Sequence, residues 1–132
     1  MINIKQELED SLAKEFEFMN QFTRFDSSHS RFSIECEHGD GWYNLIYNLC
    51  KKIKEELEMY PDNEFQILQI KEKYGFLCIY ATNIPTSPFI STSIFDYIYE
   101  TEIKSKNICE ICGEKGKMRY DKNWFRVRCD KC

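Results

Sequence analysis

The chain has 132 residues, enough for one compact domain with a small appended module. Its formal net charge of −4 is unevenly placed: residues 113–132 hold seven Lys and Arg against three Asp and Glu, a balance of +4, which leaves −8 on residues 1–112. General nucleic-acid affinity is not expected of so acidic a body, because it repels backbone phosphate, and no apolar run approaches membrane-spanning length.

Residues 3–25 read as a first helix, because Ile4, Leu8, Leu12, Phe16, Met19 and Phe22 recur three or four apart and form one apolar stripe. The expected role is an ordinary core helix. Phe18 and Phe25 lie off the stripe, which keeps a dimerising or partner-binding helix as the second reading. The start, Met1-Ile2-Asn3-Ile4-Lys5, runs straight into this acidic amphipathic segment with no secretory leader, so a reducing cytoplasm is the expected compartment.

After the polar break at Asp26–Ser30, residues 31–37 alternate apolar and polar and predict a short strand. Next comes Glu37-His38-Gly39-Asp40-Gly41-Trp42, where two glycines bracket Asp40. The Asp40 carboxylate is placed to cap the helix that follows, predicted over 42–60 with Trp42, Leu45, Ile46, Leu49, Ile53 and Leu57 inward. Residues 64–82 predict a β-hairpin turning at Glu72-Lys73-Tyr74-Gly75, with Gly75 available for a left-handed position. Two prolines then mark a loop. Ser91-Thr92-Ser93 offers N-caps for a helix over 92–105, with Ile94, Tyr97, Ile98 and Ile103 inward.

The strong chemical signal is last. Cys109-x-x-Cys112 and Cys129-x-x-Cys132 stand 16 residues apart, which matches a four-thiolate zinc site. Four thiolates close a tetrahedral shell with no position for water, so the expected role of one Zn²⁺ per chain is structural. The expected architecture is therefore α+β: an acidic body over 1–107, with helices packed on a small antiparallel hairpin sheet, and a zinc ribbon over 108–132 joined to it almost without linker. The other cysteines, Cys36, Cys50 and Cys78, are odd in number and scattered, with Cys50 and Cys78 read as packed core residues.

Two further constellations carry possible chemistry. In the ribbon, Arg119, Arg126 and Arg128 stand beside Trp124, an interleaving of cations and rings that suits stacking on single-stranded bases. The competing reading packs the rings on the body and turns the cations to its acidic surface. With four thiolates and a Zn²⁺ counted, the ribbon is left near +2. Cys36 and His38 with Asp40 offer a Cys–His pair or part of a second metal site, but too few ligands gather there to close one. No phosphate loop, dinucleotide fingerprint or hydrolase elbow occurs.

Gly39-Asp40-Gly41-Trp42-Tyr43-Asn44-Leu45-Ile46, then Gln69-Ile70-Lys71-Glu72-Lys73-Tyr74-Gly75-Phe76-Leu77, then Cys109-x-x-Cys112-Gly113, resemble a family of small phage and prophage proteins. In that family a G-D-G-W-x-x-L-I segment and a K-E-K-F-G-x-L segment precede a zinc-binding tail. The likeness covers about residues 32–132. Tyr74 stands where Phe is usual, and Phe76 and Cys78 replace the family's Gly and Arg, so an anion-binding role of that Arg is not carried over. The resemblance implies a phage accessory gene without assigned activity, and such genes often encode inhibitors of host defence.

The leading expectation is accordingly a non-enzymatic protein that neutralises a host factor, such as an immune protein or its nucleotide signal. The alternative is a zinc-ribbon protein that binds nucleic acid or regulates transcription. An enzyme using Cys36, His38 and Asp40 comes last. A concave pocket lined by Asp40, Trp42, Lys71, Lys73 and Tyr74 would favour a nucleotide-like ligand, and a basic ribbon face free of the body would favour nucleic acid.

Overall fold

The expected helical spacing buries one face of each helix over the described residues, but the first helix gives way to a tighter turn at Glu17. The structure, a computed structural model, describes residues 11–19, 32–33, 41–85, 93–121 and 124–132. Residues 11–15 belong to a helix (α1), and a 3-10 turn, Glu17–Met19, follows it where the spacing predicts continued helix to residue 25. The reason is in the aromatic pair. Two residues along an α-helix point about 200° apart, so Phe16 and Phe18 could not share a core from one helix. The tighter turn lets both in: Phe18 stacks on Phe16 at 5.6 Å and meets Phe65 edge-on at 5.4 Å. Leu12, Ala13, Phe16, Phe18 and Met19 are all buried. This part of the segment therefore spends its apolar side inside its own chain.

Helix α2, Tyr43–Leu57, buries Ile46, Leu49, Cys50 and Ile53. Each such aliphatic side chain removed from water contributes about 1.5–3 kcal/mol before entropy is subtracted. Its N-cap is Trp42, with no side-chain cap bond, and Asp40, expected to cap it, lies outside the described residues. Helix α3, Ile94–Ser105, also begins without one at Ser93. The Ser93 N–H is instead accepted by the Glu56 carboxylate of α2 at 3.2 Å, a tertiary substitute for a local cap. Ile94 and Ile98 face inward as expected, but Ile103 is exposed, and Thr101 and Ser105 are buried in its place.

Strands β1 (Phe32–Ser33), β2 (Gln66–Lys73) and β3 (Phe76–Thr82) form one sheet in that order. The expected hairpin is β2–β3, and β1 adds a short parallel pairing, Phe32 to Ile70 and Ser33 to Lys71. A register shift between Ile67 and Gln69 leaves Leu68 as an extra residue. It exchanges the faces, so that Phe65, Ile67 and Ile70 all reach the core although their spacing is not strictly two.

Strand β3 is an edge, and its outward N–H groups are covered by side chains of α3. Ser105 Oγ accepts from Leu77 N–H at 2.9 Å, and Glu102 Oε2 accepts from Ile79 N–H at 2.9 Å. Buried backbone donors without partners would be costly, and this is why polar residues stand on that helix face. Strands β4 (Lys117–Asp121) and β5 (Trp124–Arg128) make the ribbon hairpin. Val127 is fully buried and belongs to the main hydrophobic core. Among the described residues, no helix is long and apolar enough to cross a membrane.

Candidate metal centre and ribbon face

Each Cys-x-x-Cys sits on a backbone turn that aims N–H groups at the first sulfur. In the first, Gly113 N–H donates to Cys109 O at 3.0 Å and Cys109 N–H to Glu114 O at 2.7 Å. The four sulfurs Cys109, Cys112, Cys129 and Cys132 all lie within 4.8 Å of one another, and Cys112 and Cys129 approach to 3.5 Å. Four thiolates about 2.3 Å from one ion stand roughly 3.8 Å apart, so the cluster fits a tetrahedral site. All four thiols are free of disulfides, with Cys109 and Cys129 buried and Cys112 and Cys132 exposed.

The electrostatics of the four thiols alternate. Burial pushes Cys109 up, but N–H groups of Cys112, Cys129 and Ile111 outweigh it and bring the thiol down to about 6. Cys129 is likewise held low: burial opposes, and the Lys131 N–H and the Cys132 thiol prevail. Cys112 is raised although the Glu114 N–H pulls the other way, because burial and its hydrogen bonds to Cys129 and Cys109 win. Cys132 goes up to about 12, chiefly through its hydrogen bond to Cys129. The first cysteine of each pair is thus eased toward the thiolate, and a bound cation would strip the remaining protons.

The two motif segments both meet this ribbon. Gly41 N–H donates to Glu110 O at 3.0 Å, and a Cβ on Gly41 would lie 2.2 Å from Cys109 O. Trp42 is 2% exposed, and its indole N–H donates to Ile108 O at 2.8 Å. At the other segment, Tyr74 and Gly75 both adopt left-handed backbone, φ 53° and 93°, in the β2–β3 turn. A Cβ on Gly75 would lie 2.7 Å from Met118 Sδ and 2.9 Å from the Phe125 carbonyl carbon. Close approach of ribbon backbone requires glycine at 41, a cause that sequence spacing does not display, while Gly75 is required both by that approach and by the left-handed turn position expected of it.

Of the site foreseen at Asp40, Trp42, Lys71, Lys73 and Tyr74, the described side chains are those of Trp42, Lys73 and Tyr74. Trp42 is enclosed in the core with its donor satisfied, so it offers no wall to a ligand. Tyr74 is 67% exposed at the turn, with Lys73 Nζ 5.8 Å from its ring centroid. Asp40, with Cys36 and His38, lies outside the described residues, as does the side chain of Lys71.

Arg119, Trp124, Arg126 and Arg128 are brought together. The register pairs Lys117 with Arg128, Arg119 with Arg126 and Asp121 with Trp124, so these positions share one face of the hairpin. The opposite face carries Val127 and Met118 toward the body and Tyr120 against Phe125, ring centroids 4.8 Å apart. The cationic face opens on a groove of about 460 Å³ lined by those four residues and by Cys129, Asp130 and Cys132. Arg119 is paired with Asp130 at 2.6 Å, and Arg128 with Glu110 at 2.7 Å. Arg126 lies 5.5 Å from the Trp124 ring centroid, and no ion pair of Arg126 is found among the described residues.

Glu110 was absent from the sequence reading, yet it is 3% exposed and ties three parts together. Its carboxylate holds Arg128, its N–H donates to Val127 O, and its carbonyl accepts from Gly41. Only its position between two cysteines of the cluster could have flagged it. Comparison with family models, curated proteins and solved structures finds no match to the chain, so the likeness to the phage family rests on its motif segments alone.

Proposed function

We propose that this is a non-enzymatic zinc-ribbon protein that binds nucleic acid through the cationic face of its C-terminal hairpin. The observation that supports this most directly is the pairing of Arg119 with Arg126 across the strands. Like charges directly opposite one another weaken a hairpin, and with Arg119 offset by Asp130 it is Arg126, without an ion pair among the described residues, that is left for an anionic ligand. Zinc is the ion because four thiolates in a closed tetrahedral arrangement suit it, with an iron–sulfur centre as the competitor. Elemental analysis with a visible absorption spectrum separates the two: one zinc and no charge-transfer bands are expected.

The test of binding is fluorescence anisotropy with labelled oligonucleotides at two salt concentrations. Arg126→Ala should weaken binding about equally for all sequences and flatten the salt dependence. No binding at low salt to any single-stranded or duplex probe would remove this reading.

A protein partner is the second reading, as the phage resemblance implies through neutralisation of a host factor. The observation in its favour is a stripe on α3: Phe95, Tyr99 and Ile103, four apart and all exposed. Affinity capture from host cells with wild-type and Tyr99→Asp baits tests it. A partner lost with Tyr99→Asp and kept with Arg126→Ala would put this reading first.

A further inference from the structure

We infer that the ribbon groove takes one unpaired nucleotide, with its base stacked on Trp124 and its phosphate on Arg126 and Arg119, and that Asp130 occupies Arg119 until the phosphate displaces it. This rests on the nucleic-acid reading above and specifies the strand state and its control.

The ring comes first. Trp124 is 44% exposed on the same face as Arg126, two residues away, with the guanidinium 5.5 Å from the ring centroid. With the guanidinium over one face of a half-exposed indole, the opposite face is the one of base size left to a ligand. Bases in a duplex are stacked on both sides and show only their edges, so such a surface is useful only to a base outside a duplex.

Charge then decides which term dominates. The groove is lined by Arg119, Arg126 and Arg128, against Asp130 and a thiolate site whose net charge with a divalent ion is −2. These cancel. Electrostatic capture of a phosphate polymer is therefore weak, and a two-stranded ribbon lying in a duplex groove would gain little from it. Stacking does not depend on net charge and is left as the larger contribution.

The cancellation has a removable member. Asp130 is 91% exposed, and its carboxylate stands 2.6 Å from the Arg119 guanidinium, in the place a phosphate oxygen would take. Arg119 is also fixed from behind, since its Nε donates to Arg128 O at 3.2 Å. The guanidinium is thus held in one orientation with an exchangeable anion on its outer edge. An exposed pair of this kind is worth little, so exchange for phosphate is easy.

The experiment uses the full zinc-loaded chain and a fluorescein-labelled strand of mixed sequence, as DNA and as RNA, alone and annealed to its complement. Zinc content and thermal midpoint are checked for every variant. The unpaired strand should bind at least about tenfold more tightly than the duplex, and Trp124→Ala should lose about tenfold while Trp124→Phe retains most of the affinity. Asp130→Asn should tighten binding roughly two- to fivefold and steepen its salt dependence. Duplex binding as tight as single-strand binding, with Trp124→Ala neutral and Arg126→Ala weakened, would overturn the unpaired-nucleotide site and leave the nucleic-acid reading standing. Weaker or unchanged binding by Asp130→Asn would overturn the role of Asp130. No binding by any strand would overturn both readings.

Discussion

Trp42 and Ile108 stand 66 residues apart in the chain and are joined by a 2.8 Å hydrogen bond from indole N–H to carbonyl oxygen. The bond fastens the start of α2 to the residue preceding the first cysteine of the cluster. The body and the metal ribbon are for this reason mechanically connected. Trp42→Phe keeps most of the ring and leaves the Ile108 carbonyl without this donor, which should cost about 1–3 kcal/mol. Urea denaturation measures it, and an unchanged midpoint would show that the bond contributes nothing.

Gly41 gives the same connection a steric test. A methyl group there would lie 2.2 Å from Cys109 O and 2.7 Å from the Glu110 carbonyl carbon, both main-chain atoms. Backbone cannot swing aside as a side chain can, so Gly41→Ala should destabilise by about 1–3 kcal/mol or more. It should also speed zinc loss to a chelator. Metal release at the wild-type rate would show that the Cys109–Cys112 turn tolerates the shift.

Metal removal should be felt beyond the ribbon. Val127 belongs to the core, and Gly41 and Trp42 lean on residues 108–110. Chelation, or Cys129→Ser, should unfold residues 109–132 and lower the thermal midpoint of the body as well. The Trp42 indole should move to a wetter environment, which red-shifts its emission. A Trp124→Phe background isolates that signal, and emission unaltered by chelation would contradict the coupling.

The β3 edge offers an independent measurement. Ser105→Ala leaves the buried Leu77 N–H without its acceptor, at a cost of about 1–3 kcal/mol. Glu102→Ala does the same for Ile79 N–H in a less enclosed position and should cost less. Hydrogen exchange at Leu77 and Ile79 should quicken in the matching variant only. Uniform exchange in both would mean that the edge is protected by other groups.

Much of this fold was legible in one dimension. The two Cys-x-x-Cys pairs determined the thiolate cluster, because two intervening residues are enough to turn the backbone and aim both sulfurs inward. The period of Ile46, Leu49 and Ile53 determined which face of α2 is buried, and the ring-and-cation sequence of the ribbon determined the chemistry of its face. Tertiary structure decided the rest, where the cause lay in a distant partner. Gly75 takes the left-handed turn position expected of it, whereas Gly41 reads as a loop glycine and is demanded by ribbon backbone at its missing Cβ. Trp42 read as a binding wall, yet its donor is taken by Ile108. Ser105 and Glu102 gave no local signal, since the N–H groups they satisfy belong to β3. Local period and spacing act through the covalent chain and can be read along it; steric fit and hydrogen-bond satisfaction act through space, between residues that only folding brings together.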